Sequence, residues 1–439
     1  RGSALMAAFW MLVILLVAGL AASFSTTTEI ELSGNQRVQA QLFYLAEGGV
    51  AQVKKYLDGL GTPFEGSGPT QSAPVQVNLE TPIGGVGVSG RFTAYVDRQN
   101  NLQGKPTKFL AITVRAQMQG NPMSAVIQEM VGQDNFAKYA YFTDQETSSI
   151  TGGIVWFKTG DILRGPVHSN DQFNIDGDPI YLKEVTTSAS SVNYAAGVNN
   201  PDFREGITFN VDPVELPGDT GLIMVKSQEA DGLYFAGNQT LELAYEPATD
   251  YAYVIVDPAG AATEYQLPLN GVIYVDGDCE IEGTLHGQLT VACSGDMYLT
   301  DDILYTTDPR VDPSSTDLLG LVADGNVYVA ATAENLDAGD ETFMCVLMAL
   351  GTSFAAENYA SGSPRGYLRV IGGIIQDQRG PVGTFNPSTG NIVSGYDKDY
   401  VYDGRLADSP PPAFPTTGIV VTLAWKQLDP SVDISSDVF

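Results

Sequence analysis

ALMAAFWMLVILLVAGLAASF, residues 4–24, runs for twenty-one positions without a charge, a proline or an amide. As an α-helix, at ~1.5 Å per residue, it is roughly 31 Å long and matches the ~30 Å hydrocarbon core of a bilayer. Arg1 stands just before it, which suits a cytoplasmic flank. The chain opens on Arg1 rather than methionine, so an upstream segment is expected to have been removed. A cleavable secretory signal is the competing reading. Its apolar region runs ~7–15 residues, shorter than this one, although a weak small-residue cut site lies around Gly19-Leu20-Ala21.

The residues that follow favour a retained helix. STTTEIELSGNQRVQAQLFYLAEGGVAQVKKYLDGLG has no proline before Pro63. Ile30, Leu32, Val38, Leu42, Leu45, Val53, Tyr56 and Leu57 recur at helical spacings, as one buried stripe requires. Glu29 and Glu31 come early and Lys54 and Lys55 late, in agreement with the helix dipole. Gly34 and the Gly48-Gly49 pair are points where such a helix is expected to soften. Residues 1–60 are therefore predicted to form one helix, oily in its first half and amphipathic in its second. Small residues in the oily half (Ala7, Ala8, Gly19, Ala21 and Ala22) would ease helix–helix packing where no water is present.

The first 57 residues resemble the N-terminus of PilX-type minor pilins. The likeness lies in the RGSAL start, the S-T-T-x-E-x-x-x-S-G-N-x-R stretch from Ser25 and the Y-x-A-E-G-G turn from Tyr44. The resemblance implies a prepilin-like subunit handled by a type IV pilus or type II secretion-like machine. It also implies that Met6, Ala7, Phe9, Trp10, Leu12, Ile14, Leu15, Gly19, Leu20 and Phe24 serve the membrane and the filament core. Major pilins of this kind carry a glutamate five residues into the mature chain. Counted from Arg1 or from Ser3, that position is Leu5 or Ala7, which points to a minor or atypical subunit.

Beyond the helix the expected class is α+β. A Gly/Pro/Ser-rich connector covers 61–74. Short strands at 75–80, 91–98, 108–118 and 124–131 predict a small antiparallel sheet over 75–132. Residues 134–425 keep returning to short strands in which apolar positions step by two, as at Ile273/Val275, Leu289/Val291/Cys293 and Met297/Leu299. A G-D or D-G turn then resets the phase, the pattern of a β-solenoid, with a sandwich of hairpins as the alternative. Residues 426–439 are expected to be a tail. GDILRGPVHSND (160–171), SSTDLLGLVADGNVYVA (314–330), GGIIQDQRGPVGTF (372–385) and GYDKDYVYDGRL (395–406) resemble an uncharacterised domain that often follows PilX-like N-termini.

With 22 Lys+Arg against 52 Asp+Glu, the net charge of −30 repels phosphate backbones, so no nucleic-acid partner is expected. The bland reading of this charge is a solvated surface; the sharper one is calcium bound by acidic turns. Asp176/Asp178, Asp276/Asp278 and Asp397/Asp399/Asp403 are the candidate oxygen ligands, although Asp-Gly is also common turn chemistry. Cys279 and Cys293 are either a disulfide across neighbouring rungs or two small buried hydrophobes, and Cys345 is core.

Catalysis is not expected. His168 and Ser169 are adjacent on a strand and face opposite ways, and no G-x-S-x-G elbow exists. His286-Gly287 and Asp301-Asp302 stand in the reverse of the order found in polygalacturonase-type β-helices. The expected function is a structural subunit of an extracellular pilus-like filament. It would be anchored in the inner membrane before assembly, partnered by other pilin subunits and exposed to surface glycans. The rivals are a membrane-anchored carbohydrate-active β-helix enzyme and a plain anchored adhesin.

Overall fold

The computed structural model describes residues 2–58, 75–77, 90–99, 109–118, 122–148, 150–257, 262–337, 339–386 and 389–432. The connector expected at 61–74 lies outside them. The chain is α+β: one long N-terminal helix and a large β-rich remainder. It divides into two units. One takes in the helix, Lys108–Gln133 and Gly418–Phe439; the other takes in Asp134–Thr417.

In the first unit, helix α1 runs unbroken over Gly2–Asp58. The hydroxyls of Thr26, Thr27 and Thr28 donate to the carbonyls of Ala22, Ser23 and Phe24, each at 2.9 Å. These polar side chains are thus satisfied by the helix itself. Helical backbone also continues through Gly34 and Gly48-Gly49, where softening was expected.

Strands β1 (Val75–Val77), β2 (Gly90–Gln99), β3 (Phe109–Met118) and β4 (Ser124–Asn135) pair antiparallel in sequence order. Alternation on β3 sends Leu110, Ile112, Val114 and Ala116 into one core with Ala125, Ile127 and Val131 of β4. That core is closed by Leu42, Leu45, Ala46, Val50, Val53 and Leu57 of α1, at spacings of three and four. The predicted stripe is covered only from Val38 onward, and there not at Tyr56, which is 45% exposed; Ile30 and Leu32 remain 67% and 58% exposed.

The fifth strand of this sheet, Thr416–Leu428, lies next to β4 and comes from the far end of the chain. Its Trp425 ring meets Phe43 edge-on at 5.8 Å, and its Thr422 hydroxyl bonds to Glu129 and Lys54, which also pair with each other. This corrects the boundary read at 425 and the tail read at 426–439. Residues from Gly418 on belong with the helix and its sheet, and residues up to Leu428 are strand. The strand's partner is some 290 residues away in sequence, so nothing local marks the pairing.

In the second unit ten strands form one continuous parallel ladder. In spatial order they are Ile207–Thr208, Val185–Thr187, Val167–Ser169, Tyr141–Gln145, Pro364–Gln378, Glu341–Ala349, Leu318–Ala323, Gln288–Cys293, Val272–Asp276 and Leu233–Ala236. The chain enters this ladder in its middle, at Tyr141, and runs outward to Thr208. It then re-enters at the opposite end, at Leu233, and returns to pair Ile374–Gln376 with Tyr141–Thr143. A second parallel ladder joins Gln239–Glu246, Cys279–Leu285, Met297–Tyr305, Val327–Val329 and Phe354–Ala356.

The corners between these two ladders explain the recurring G-D and D-G pairs. Gly295 N donates to Gly277 O at 3.0 Å, Gly325 N to Gly295 O at 3.0 Å, and Gly351 N to Gly325 O at 2.9 Å. A Cβ on Gly295 would sit 2.2 Å from Asp278 Oδ1, and one on Gly325 2.3 Å from Asp296 Oδ1. Only glycine lets the corners stack this closely. The neighbouring aspartates cap the stack: Asp278 accepts from Asp296 N at 3.0 Å, and Asp296 from Asn326 N at 2.7 Å.

Candidate functional site: the uncovered half of the helix

The lower half of α1 presents apolar side chains in every direction. Its large hydrophobic side chains between Leu5 and Phe24, apart from a half-buried Val13, are 53–77% exposed, among them Met6, Phe9, Trp10, Leu12, Ile14, Leu15, Leu20 and Phe24. Ala7 and Gly19 are also exposed, and a Cβ on Gly19 would meet nothing within 4 Å. Among the described residues α1 is the one helix long and apolar enough to cross a membrane. Burying a Leu, Ile or Phe side chain is worth about 1.5–3 kcal/mol, so covering this surface is worth on the order of 20 kcal/mol. Among the described residues nothing covers it. Lipid or other apolar helices can do so, and small residues at Ala7, Ala8, Gly19, Ala21 and Ala22 allow close approach. No carboxylate lies between Arg1 and Glu29.

Among the described residues the predicted metal ligands form no group of three. Asp178 accepts from Asn200 N at 2.9 Å. Asp176 backs the Lys158 turn through its carbonyl, which accepts from Thr159 N. Asp276 accepts from the Tyr234 and Ser294 hydroxyls, and Asp278 is a corner cap that also accepts from Asn238. Asp397 lies 3.7 Å from Lys158, and Asp399 accepts from Arg369 Nε at 2.8 Å. Asp403 is clasped by Arg405 and caps the 3₁₀ turn Gly404–Ala407 by accepting from Arg405 N. These carboxylates serve corners, hydroxyls and arginines. The carboxylates that the fold does gather are Asp301, Asp302 and Glu341. Sequence reading noticed the Asp301-Asp302 pair only as a poor glycosidase match.

Cys279 and Cys293 are free thiols, buried in the main core with Cys345, so the disulfide reading is corrected in favour of small buried hydrophobes. They belong to strands of different ladders, and burial pushes both thiols up. His168 is buried against the Phe142 ring, with Nδ1 bonded to Thr186 and Nε2 to Asn170, each at 2.8 Å. Burial lowers its pKa and holds it neutral. Ser169 bonds instead to Thr143 at 3.0 Å. A buried Arg379, 3.5 Å above the Phe157 ring, bonds to Glu146 and to the Val155 and Trp156 carbonyls, a closed structural network.

A family described as a domain of unknown function, DUF4900, matches residues 107–190. No protein of curated function matches the chain. Among solved structures, the competence-associated pilin ComZ from Thermus thermophilus is similar at 11% identity and a TM-score of 0.33, over 88% of this chain and 97% of ComZ.

Proposed function

We propose that this chain is a structural subunit of a type IV pilus-like extracellular filament, a minor or atypical pilin rather than an enzyme. The observation that carries the reading is the division of α1. Its upper half is sealed against an antiparallel sheet, while its lower half is apolar all round and uncovered. A membrane anchor needs the lower half alone. A filament subunit needs both, with the sheet fixing the helix so that its free half can pack among neighbours. In this reading the lower half is held in the inner membrane before assembly and passes into the filament core afterwards. The partners are then other pilin subunits, and the β domain faces outward toward surfaces or glycans on the bacterial exterior.

The same proposal treats the β domain as a solenoid rather than a sandwich. What supports it is the ten-strand parallel ladder, whose neighbours are mostly one turn of chain apart, together with the stacked glycine corners. A sandwich built of hairpins would pair antiparallel instead.

Imaging filaments sheared from the producing cell, and measuring this chain's share of their mass, tests the role. The expected result is incorporation that is lost when residues 4–24 are replaced by an unrelated transmembrane helix. Retention of normal filaments by that replacement would favour the anchored adhesin. Polysaccharide depolymerisation by the full-length chain in detergent would establish the carbohydrate-active alternative.

A further inference from the structure

We propose that Asp301, Asp302 and Glu341 bind one divalent cation, with calcium favoured by a ligand set of three protein carboxylates. Regular strands send consecutive side chains to opposite faces, so Asp301 and Asp302 should diverge. They do not, because the ladder slips beside them. Leu299 pairs with Ile281 and Ile303 with Gly283, which leaves three residues, Thr300–Asp302, opposite the single Glu282. This bulge turns both carboxylates toward Glu341, the first residue of the strand Glu341–Ala349. One oxygen from each of the three side chains lies within 4.8 Å of the others. Calcium takes six to eight oxygen ligands in flexible geometry, several of them carboxylates, whereas magnesium usually keeps most of its waters and takes only one or two carboxylates.

An independent observation is the state of Glu341. It is only 4% exposed, and among the described residues no hydrogen bond or ion pair reaches its carboxylate. Its stem is buried while its unpartnered carboxylate faces Asp301 and Asp302, where a cation would offset three like charges. Around it stand Asp301, Asp302, Asp337 and Asp340, all of the same charge. Arg369 pairs with Asp399 at 2.8 Å and with Asp340 at 3.5 Å, and among the described residues no bond joins it to Glu341. Asp301 and Asp302 each use Oδ1 for a backbone amide, that of Asp302 and of Thr342 respectively, and among the described residues no bond occupies Oδ2 of either. Both are half-buried, so the site opens to water on one side, where hydrate oxygens would complete a calcium shell.

The full-length chain in detergent, stripped with chelator, is titrated calorimetrically with calcium chloride and with magnesium chloride, and its thermal unfolding is followed in each. Expected is one calcium per chain with a dissociation constant of about 10⁻⁴–10⁻³ M, the range of extracellular modules, and magnesium at least ~10-fold weaker. Calcium should raise Tm by roughly 5 °C at saturation. Glu341→Gln keeps the shape and removes the charge; it should lose at least ~10-fold in calcium affinity while unfolding no earlier than calcium-free wild type. The double variant Asp301→Asn with Asp302→Asn should lose the same binding, with the Oδ1 backbone bonds intact. The double variant Asp276→Asn with Asp278→Asn should bind calcium as wild type does. The proposal is overturned if wild type binds no calcium at millimolar concentration. It is overturned equally if Glu341→Gln and the Asp301/Asp302 variant bind like wild type, or if binding is lost only in the Asp276/Asp278 variant.

Discussion

Residues 5–24 and residues 42–57 belong to the same helix and both are rich in leucine and valine, yet one stretch is bare and the other sealed. The upper stretch confines its apolar side chains to a stripe, and β3 and β4 supply Leu110, Ile112, Val114 and Ile127 to cover it. The lower stretch has no polar face to turn toward water, so any solution that hides one side leaves the others exposed. Periodicity thus separates apolar surface that the chain consumes itself from apolar surface that it offers to something else. The β domain belongs with the first kind: its core is filled internally by residues such as Phe343, Leu299 and Cys345.

The comparison breaks most visibly if a charge is placed in each half. Leu15→Lys puts an ammonium near the centre of the bare stretch, at about 3 kcal/mol against membrane insertion. The expected outcome is a large loss of membrane-associated chain on cell fractionation and loss from sheared filaments, while the β domain keeps its proteolytic resistance. Correct membrane insertion of the variant would sink the assignment of that half. Leu45→Ala probes the sealed stretch: 2–5 kcal/mol of stability of the helix–sheet unit should vanish in urea unfolding of the detergent-solubilised chain. Leu12→Ala in the same assay should change stability by less than about 0.5 kcal/mol, because its side chain touches no core.

Smaller effects test whether the β domain is self-contained. His168 is buried and neutral, and its folded pKa lies below the ordinary value of ~6.5. The unfolded chain therefore binds the extra proton first, and the stability is present above pH ~6.5 and lost as pH falls through that value. Chemical unfolding between pH 7 and pH 5 should show a decline that His168→Gln flattens; an unchanged slope in the variant would assign the decline elsewhere. The smallest effect expected is that of a reductant. With Cys279 and Cys293 free, dithiothreitol should leave the unfolding temperature unmoved, whereas a real disulfide would cost 2–5 kcal/mol on reduction.

Features that depend on neighbours in sequence were legible beforehand. Helix α1 announced itself by its apolar run and then by the stripe through Leu42, Leu45, Val53 and Leu57. Strands β2, β3 and β4 lie within a residue or a few of the ranges read from alternation. The glycine corners were seen, but the aspartates beside them were read as cation ligands because spacing alone cannot show that Asp278 caps the next turn. Asp301, Asp302 and Glu341 were not grouped. Their meeting depends on a slip between two strands and on a third strand some 40 residues on, and neither leaves a pattern in the local order of residues. Thr416–Leu428 was missed for the same reason at longer range.

That last strand has a consequence for biogenesis. The sheet that grips the helix receives its outer strand only after residues 134–417 have been synthesised and exported. A polypeptide truncated anywhere in between reaches the membrane with its head incomplete and with Phe43 and Thr422's partners unmet. Chain order thus leaves completion of the sheet around the helix to the last residues made.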